Sequence, residues 1–292
     1  MPEPLSPASR LRALLAEPGI RVMPCCFDAL SARLIERAGF PLTFMSGFAV
    51  SAARLALPDR GLISFGEMLD PGREITGAVG IPVIGDGDTG YGNAMNVKRT
   101  VRGYARAGFA CVMIEDQIAP KRCGHTSGKA VVPREAALAR IRAAIDARDE
   151  SRAAGADILV MARTDARAPH GLDEAIARGR AFAALGADVV FVEAPRDEGE
   201  LARVGREIDA PLMVNLVEDG DTPLLPPQRL AALGFKIAAH PLTLLMASVR
   251  AMEGALEQLA KGDPVEHRVS FAALRELVGF AAYDREADRY EE

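Results

Sequence analysis

The residues of this chain best suited to chemistry are acids placed just after short apolar runs, together with one cysteine in a polar loop. Asp86 and Asp88 stand two apart in Asp86-Gly87-Asp88-Thr89-Gly90, a spacing that alternation along a strand sends to one side. Glu115 ends a similar run. Three carboxylates meeting there repel one another unless a cation lies between them. Few ligands, all of them oxygen, suit Mg2+, with Mn2+ the alternative, because these ions keep bound water and leave positions open for substrate. Zinc would call for His or Cys. Any one Asp at a strand end reads more simply as a turn former or helix cap, so the argument rests on convergence.

The cysteines divide by context. Cys25, Cys26 and Cys111 lie in apolar stretches, where a thiol is an inert small hydrophobe. Cys123 lies among Lys121, Arg122 and His125, cationic neighbours that favour the thiolate. Gly124 and Gly128 would let this loop move as a lid. Its glycine spacing matches no phosphate-binding loop.

These residues must be positioned by something regular. An Ala-rich helical stretch, a glycine at the helix stop and a run of apolar residues recur, with stops at Gly39, Gly108, Gly155, Gly186 and Gly234. Glycine ends helices in the left-handed region, and apolar runs of this kind read as strands buried on both faces. Further runs begin near Val22, after Gly80 and after Asp209, making eight. Eight such units predict a closed (β/α)8 barrel, with an open doubly wound sheet as the competing architecture. Chemistry in a barrel sits at the carboxyl ends of the strands. Here those ends carry Ser46-Gly47, Asp86, Asp88, Glu115-Asp116, Arg163, Asp165, Glu193 and Asn215. No Pro/Gly/Ser-rich linker divides the sequence, so residues 1–292 read as a single barrel domain. Residues 241–292 read as C-terminal helices and a charged tail, with helical runs at 242–260 and 266–281.

Composition bounds the class. The chain has 292 residues, 49% hydrophobic and 26% charged, which excludes disordered and fibrous proteins. No apolar stretch is long enough for a membrane span, and the charged start argues against a signal peptide. Four cysteines without zinc spacing make a disulfide scaffold unexpected, and a reducing cytoplasm is the expected compartment. Thirty-five basic against forty acidic residues, net −5, argue against a nucleic-acid surface.

Four segments carry a resemblance. GDGDTGYGN at 85–93, IEDQIAPKRCGH at 114–125, ARTDA at 162–166 and VNLVEDGDTPLL at 214–225 are similar, in matching order, to the isocitrate lyase and phosphoenolpyruvate mutase superfamily. The Lys-Arg-Cys-Gly-His run marks its carbon–carbon lyase branch. The resemblance implies that Asp86 ligates Mg2+ directly, while Asp59, Asp88 and Glu115 hold its waters. It implies substrate contacts from Ser46, Gly47, Phe44, Arg122, Gly124, Arg163, Glu193, Asn215, Thr222 and Pro223. Cys123 would be the acid/base, with Arg163, Glu115, His125 and Lys121 also catalytic. A homotetramer built by exchanging C-terminal helices between subunits is implied too.

Within the lyases, methylisocitrate lyases resemble the chain over the lid, yet typically follow it with Arg-Pro-Asn where Thr126-Ser127-Gly128 stands, and carry Tyr at Phe44. A tricarboxylate needs partners for its third carboxylate, since a buried unpaired charge is costly. The segment from Asn215 to Leu224 looks more like the dimethylmalate lyase and petal death protein group, which cleave 2-alkylmalates. The expected activity is therefore cleavage of a (2R)-hydroxy dicarboxylate to pyruvate or another 2-oxo acid plus a carboxylate. The alternatives are a methylisocitrate lyase and then an oxaloacetate hydrolase or decarboxylase, with a phosphonate mutase or a silent metabolite-binding barrel outside these. The base that takes the hydroxyl proton stays open among Glu115, Glu193 and His125.

Overall fold

The computed structural model describes residues 5–121 and 128–290. Its strands are β1 (Arg21–Cys26), β2 (Thr43–Met45), β3 (Val83–Asp86), β4 (Cys111–Glu115), β5 (Leu159–Thr164), β6 (Val189–Val192), β7 (Leu212–Asn215) and β8 (Phe235–His240). All pair in parallel with their sequence neighbours, and β1 also pairs with β8, so the sheet closes in the order β1 to β8. This is the (β/α)8 barrel that the eight apolar runs predicted, and the open sheet is excluded.

The five helix-stop glycines all adopt positive φ, between 82° and 98°. A Cβ there would clash with the residue's own backbone, so the sequence signal has a direct steric cause.

Alternation divides the strand residues between two cores. Met23, Cys25, Phe44, Ile84, Cys111, Met113, Leu159, Met161, Val189, Phe191, Met213, Ile237 and Ala239 form one cluster with Ala8, Leu11 and Leu15 of the helix Pro7–Ala16. These are the residues facing the barrel axis, with the first helix contributing to the same core. The intervening residues, such as Val112, Ile114, Val160, Val190 and Val214, pack with the surrounding helices.

One step of two beyond the last inward apolar residue gives the polar positions: Phe44 leads to Ser46, Ile84 to Asp86, Met113 to Glu115, Met161 to Arg163, Phe191 to Glu193 and Met213 to Asn215. The same period that fills the interior therefore aims six polar side chains at one mouth.

The chain forms two compact units, Met1–Leu244 and Leu245–Glu292. In the second, the helix Thr243–Lys261 continues and is followed by Phe271–Val278 and Phe280–Ala287. The run expected to be one helix over 266–281 starts later and is broken at Gly279, whose φ of 88° ends one helix and begins the next. Helix also extends into the charged stretch expected to be tail.

Candidate active site

Asp86 ends β3, and its carboxylate is held by two backbone N–H groups. Asp88 donates to Oδ1 at 3.0 Å and Gly47 donates to Oδ2 at 3.2 Å. A Cβ at Gly47 would collide with Oδ2, so glycine is required for this close approach. Ser46 caps the following helix, accepting from Ala49 N–H at 3.3 Å. Beneath them, the Tyr104 hydroxyl donates to the Asp86 carbonyl at 2.6 Å.

Asp88 lies beyond the strand in the left-handed region, φ 48°. Its direction is thus set by the turn through Gly87 and Gly90, not by strand alternation. It faces Lys121, whose Nζ lies 2.8 Å from Asp88 Oδ1 and 2.6 Å from Asp59 Oδ1. All three are buried, and Asp59 and Lys121 are 62 positions apart in sequence. Burial, with Asp86 and Asp59 nearby, pushes the Asp88 carboxyl up to about 7 against the opposing pull of Lys121. For Lys121, burial alone would lower the ammonium, but Asp88, Asp86, Asp59 and Glu115 outweigh it and hold it well above its ordinary value.

The second charged group centres on Arg163, opposite Glu115 in the β4–β5 register. Its Nε and Nη2 donate to Asp165 at 2.8 and 3.0 Å, Nη2 lies 3.1 Å from Glu193 and Nε 3.3 Å from Glu115. These contacts are made by Nε and Nη2, along one edge of the guanidinium. Phe191 backs the group, its ring centre 5.2 Å from Arg163 Cζ. Burial raises the Glu115 carboxyl well above the usual range although Arg163 opposes it. The guanidinium stays charged, since its three carboxylate neighbours overcome the effect of burial.

Asp116, adjacent to Glu115, points the other way. It accepts from Thr164 Oγ1 at 2.7 Å, Asp165 N–H at 2.9 Å and Arg178 at 3.0 Å. It therefore fixes the backbone that carries Asp165 and, through Asp165, the orientation of Arg163.

A cavity of about 570 Å3 open to solvent joins these groups. Its lining includes Phe44, Ser46, Asp59, Asp86, Lys121, Arg163, Glu193 and Asn215, all expected from sequence, and also Phe48, Met113, Phe191, Met213, Val217 and Leu242, which were not. Cys25 lines it as well, its thiol pushed well up by burial and so held neutral. Thr222, buried, and Pro223 are not among the lining residues. Arg122, Cys123, Gly124 and His125 lie outside the described residues.

Four carboxylates, Asp59, Asp86, Asp88 and Glu115, are buried around this mouth, and Glu115 Oε1 has no hydrogen-bond partner among the described residues. An all-oxygen set of this kind fits a hard divalent ion. Among the described residues no group of three or more His, Cys, Asp or Glu stands ready to hold an ion. Mg2+ ordinarily takes few direct protein ligands and keeps the rest of its shell as water.

Residues 11–260 match the family model described as phosphoenolpyruvate phosphomutase. The chain is 39% identical to 2,3-dimethylmalate lyase of Eubacterium barkeri, over 94% of this chain and 95% of that protein. It is 43% identical to the chloroplastic carboxyvinyl-carboxyphosphonate phosphorylmutase of Arabidopsis thaliana, over 92% and 79%. Its fold superposes on oxaloacetate acetylhydrolase in complex with 3,3-difluorooxalacetate with a TM-score of 0.93, at 36% identity and 99% coverage of both chains. Phosphonopyruvate hydrolase, solved with oxalate and Mg2+, superposes with a TM-score of 0.86 at 29% identity, covering 98% and 99%.

Proposed function

The chain belongs to the phosphoenolpyruvate mutase/isocitrate lyase superfamily, and from that premise we propose that it is a Mg2+-dependent carbon–carbon lyase acting on 2-alkylmalates such as 2,3-dimethylmalate. The observation that carries the substrate class is the composition of the cavity wall. Its described cations are Lys121 and Arg163, the first paired with Asp59 and Asp88, the second with Asp165. Among the described lining residues no further cation is left for a third substrate carboxylate, and an unpaired buried charge is costly. Phe44, Phe48, Val217 and Leu242 offer an alkyl group an apolar wall instead. This favours an alkylmalate over 2-methylisocitrate.

Asp86 would hold the ion directly, with Asp59, Asp88 and Glu115 binding its water. When bound, Mg2+ supplies a Lewis acid for the substrate hydroxyl and its neighbouring carboxylate. The chain's own residues do the rest. Gly47 and Asp88 N–H groups fix the Asp86 carboxylate in place. Arg163, clamped on one edge by Asp165, turns its remaining nitrogen to the enediolate charge that grows on the departing carboxylate half as the carbon–carbon bond breaks and the oxo acid's carbonyl forms; a preorganised donor of this kind needs no rearrangement at the moment of reaction. Glu115, Glu193 or His125 takes the hydroxyl proton, and Cys123 gives a proton to the carbon of the departing carboxylate. Asn215 Nδ2 lies 3.5 Å from Glu193 Oε2 and steadies that wall.

No helix among the described residues is long and apolar enough to cross a membrane. In the C-terminal unit Met252, Leu256, Leu259, Phe271 and Tyr283 are exposed, which supports a homotetramer that covers them. Sedimentation should give four copies.

The test is release of pyruvate from 2,3-dimethylmalate and 2-methylisocitrate, and of oxalate or pyruvate from oxaloacetate, at equal concentration, with Mg2+ and with excess EDTA. 2,3-Dimethylmalate should be cleaved fastest, and EDTA should stop the reaction. Fastest turnover of 2-methylisocitrate, or full activity in EDTA, contradicts the reading.

A further inference from the structure

The carboxylate cluster already contains a cation. Lys121 Nζ lies 2.6 and 2.7 Å from the two oxygens of Asp59 and 2.8 Å from Asp88 Oδ1. The lysine side chain is only 5% exposed. Asp86 and Glu115 act on it as well. Sequence spacing required a positive charge among these acids, and an ammonium from the chain meets that requirement.

We propose that Lys121 is a tethered counter-cation that occupies the cluster in the metal-free protein and must withdraw before a divalent ion can load. This rests on the metal reading above. The carboxylates of Asp59 and Asp88 that would hold the ion's waters are those the ammonium occupies. Two cations sharing them within about 4 Å would repel strongly at the dielectric typical of protein sites. Lys121 has somewhere to go. It lines the mouth cavity and also a separate outer groove formed with Gly61, Ser64, Asp88, Tyr91 and Pro120. Withdrawal along this groove would take the ammonium to solvent without crossing the substrate cavity. Loading then exchanges one cation for another and never leaves four buried acids uncompensated, a state that would be strongly destabilising.

The test uses wild-type protein first. EDTA-stripped protein is pulsed with acetic anhydride with and without MgCl2, and acetylation at each lysine is read by mass spectrometry, with exposed Lys261 as reference. Lys121 acetylation should rise about tenfold or more with Mg2+ while Lys261 stays unchanged. Equal or greater protection of Lys121 with Mg2+ overturns the proposal. Calorimetric titration of MgCl2 gives the second readout: Lys121→Met should bind Mg2+ about tenfold tighter than wild type, and Lys121→Arg no tighter. Wild-type or weaker affinity in Lys121→Met overturns the proposal and leaves the lyase reading standing. If wild type binds no Mg2+ at all, both fall together.

Discussion

The mouth of the barrel has two unlike halves. The arc from β3 to β6 carries Asp86, Asp88, Glu115, Arg163 and Glu193, with Asp59 and Lys121 packed against it. The arc from β7 through β8 and β1 to β2 contributes Val217, Leu242, Cys25, Phe44 and Phe48, with Asn215 and Ser46 as its polar members. In both arcs the strand positions and the residues directly after them follow the same two-residue alternation, while Asp59, Asp88, Lys121, Phe48, Val217 and Leu242 come from the turns and helices beyond the strands. The difference lies in the residue types that each strand carries past its last inward apolar position. On the proposed reading, the charged arc would stabilise charge and the other arc would recognise shape, with Met113 and Phe191 also adding apolar wall to the first.

The separation can be broken most severely at Asp86. Asp86→Ala should lower turnover about a thousandfold or more, with loss of Mg2+ binding by calorimetry; retained metal-dependent turnover would dissolve the charged arc's role. Cys123→Ala should abolish cleavage while leaving Mg2+ and pyruvate binding intact, as judged by the same titrations. Arg163→Lys should cost about a hundredfold in kcat, because a lysine cannot keep the two-point contact with Asp165 while presenting a further donor.

The apolar arc should respond in specificity. Phe48→Ser should lower kcat/KM for 2,3-dimethylmalate by about 10- to 100-fold while changing oxaloacetate turnover much less. Equal losses on both substrates would mean that the arc does not read the alkyl groups.

Much of this was legible in sequence because it depends on local rules. Helix-stop glycines and apolar runs gave eight strands, and position at the carboxyl ends of those strands gave Asp86, Glu115, Arg163, Glu193 and Asn215. The rest depends on tertiary pairing. Asp59 has no periodic signal and met Lys121 only through the fold. Phe48, Val217 and Leu242 look in sequence like ordinary core residues, so nothing marked them as cavity wall. Asp116 and Glu115 are adjacent in sequence, yet alternation sends them to opposite sides, and only Glu115 reaches the mouth. Gly279 breaks the last helical run, a stop that the helix formers on either side of it mask.

The smallest expected effect lies at the opposite end of the barrel. Asp157, two residues before β5, pairs with Arg12 at 2.6 Å and Arg152 at 2.9 Å. The hydrogen bond from Arg12 chiefly, with help from Arg152, holds its carboxyl down to about 2. A folded-state value below the unfolded one of about 3.9 means that the pairing stabilises the protein above roughly pH 4 and loses that contribution as pH falls through about 2. Asp157→Asn should therefore lower stability by at most about 1 kcal/mol at neutral pH, since the pair is partly solvated, and by nothing at the acid limit, measured by urea unfolding. Activity should not change.

The division of the mouth is tested most directly by a crystal structure with Mg2+ and pyruvate. The ion should contact Asp86, the oxo-acid oxygens should lie beside Arg163, and the pyruvate methyl should point toward Phe44 and Phe48. An ion seated away from Asp86, or a methyl group turned into the β3–β6 arc, would contradict it.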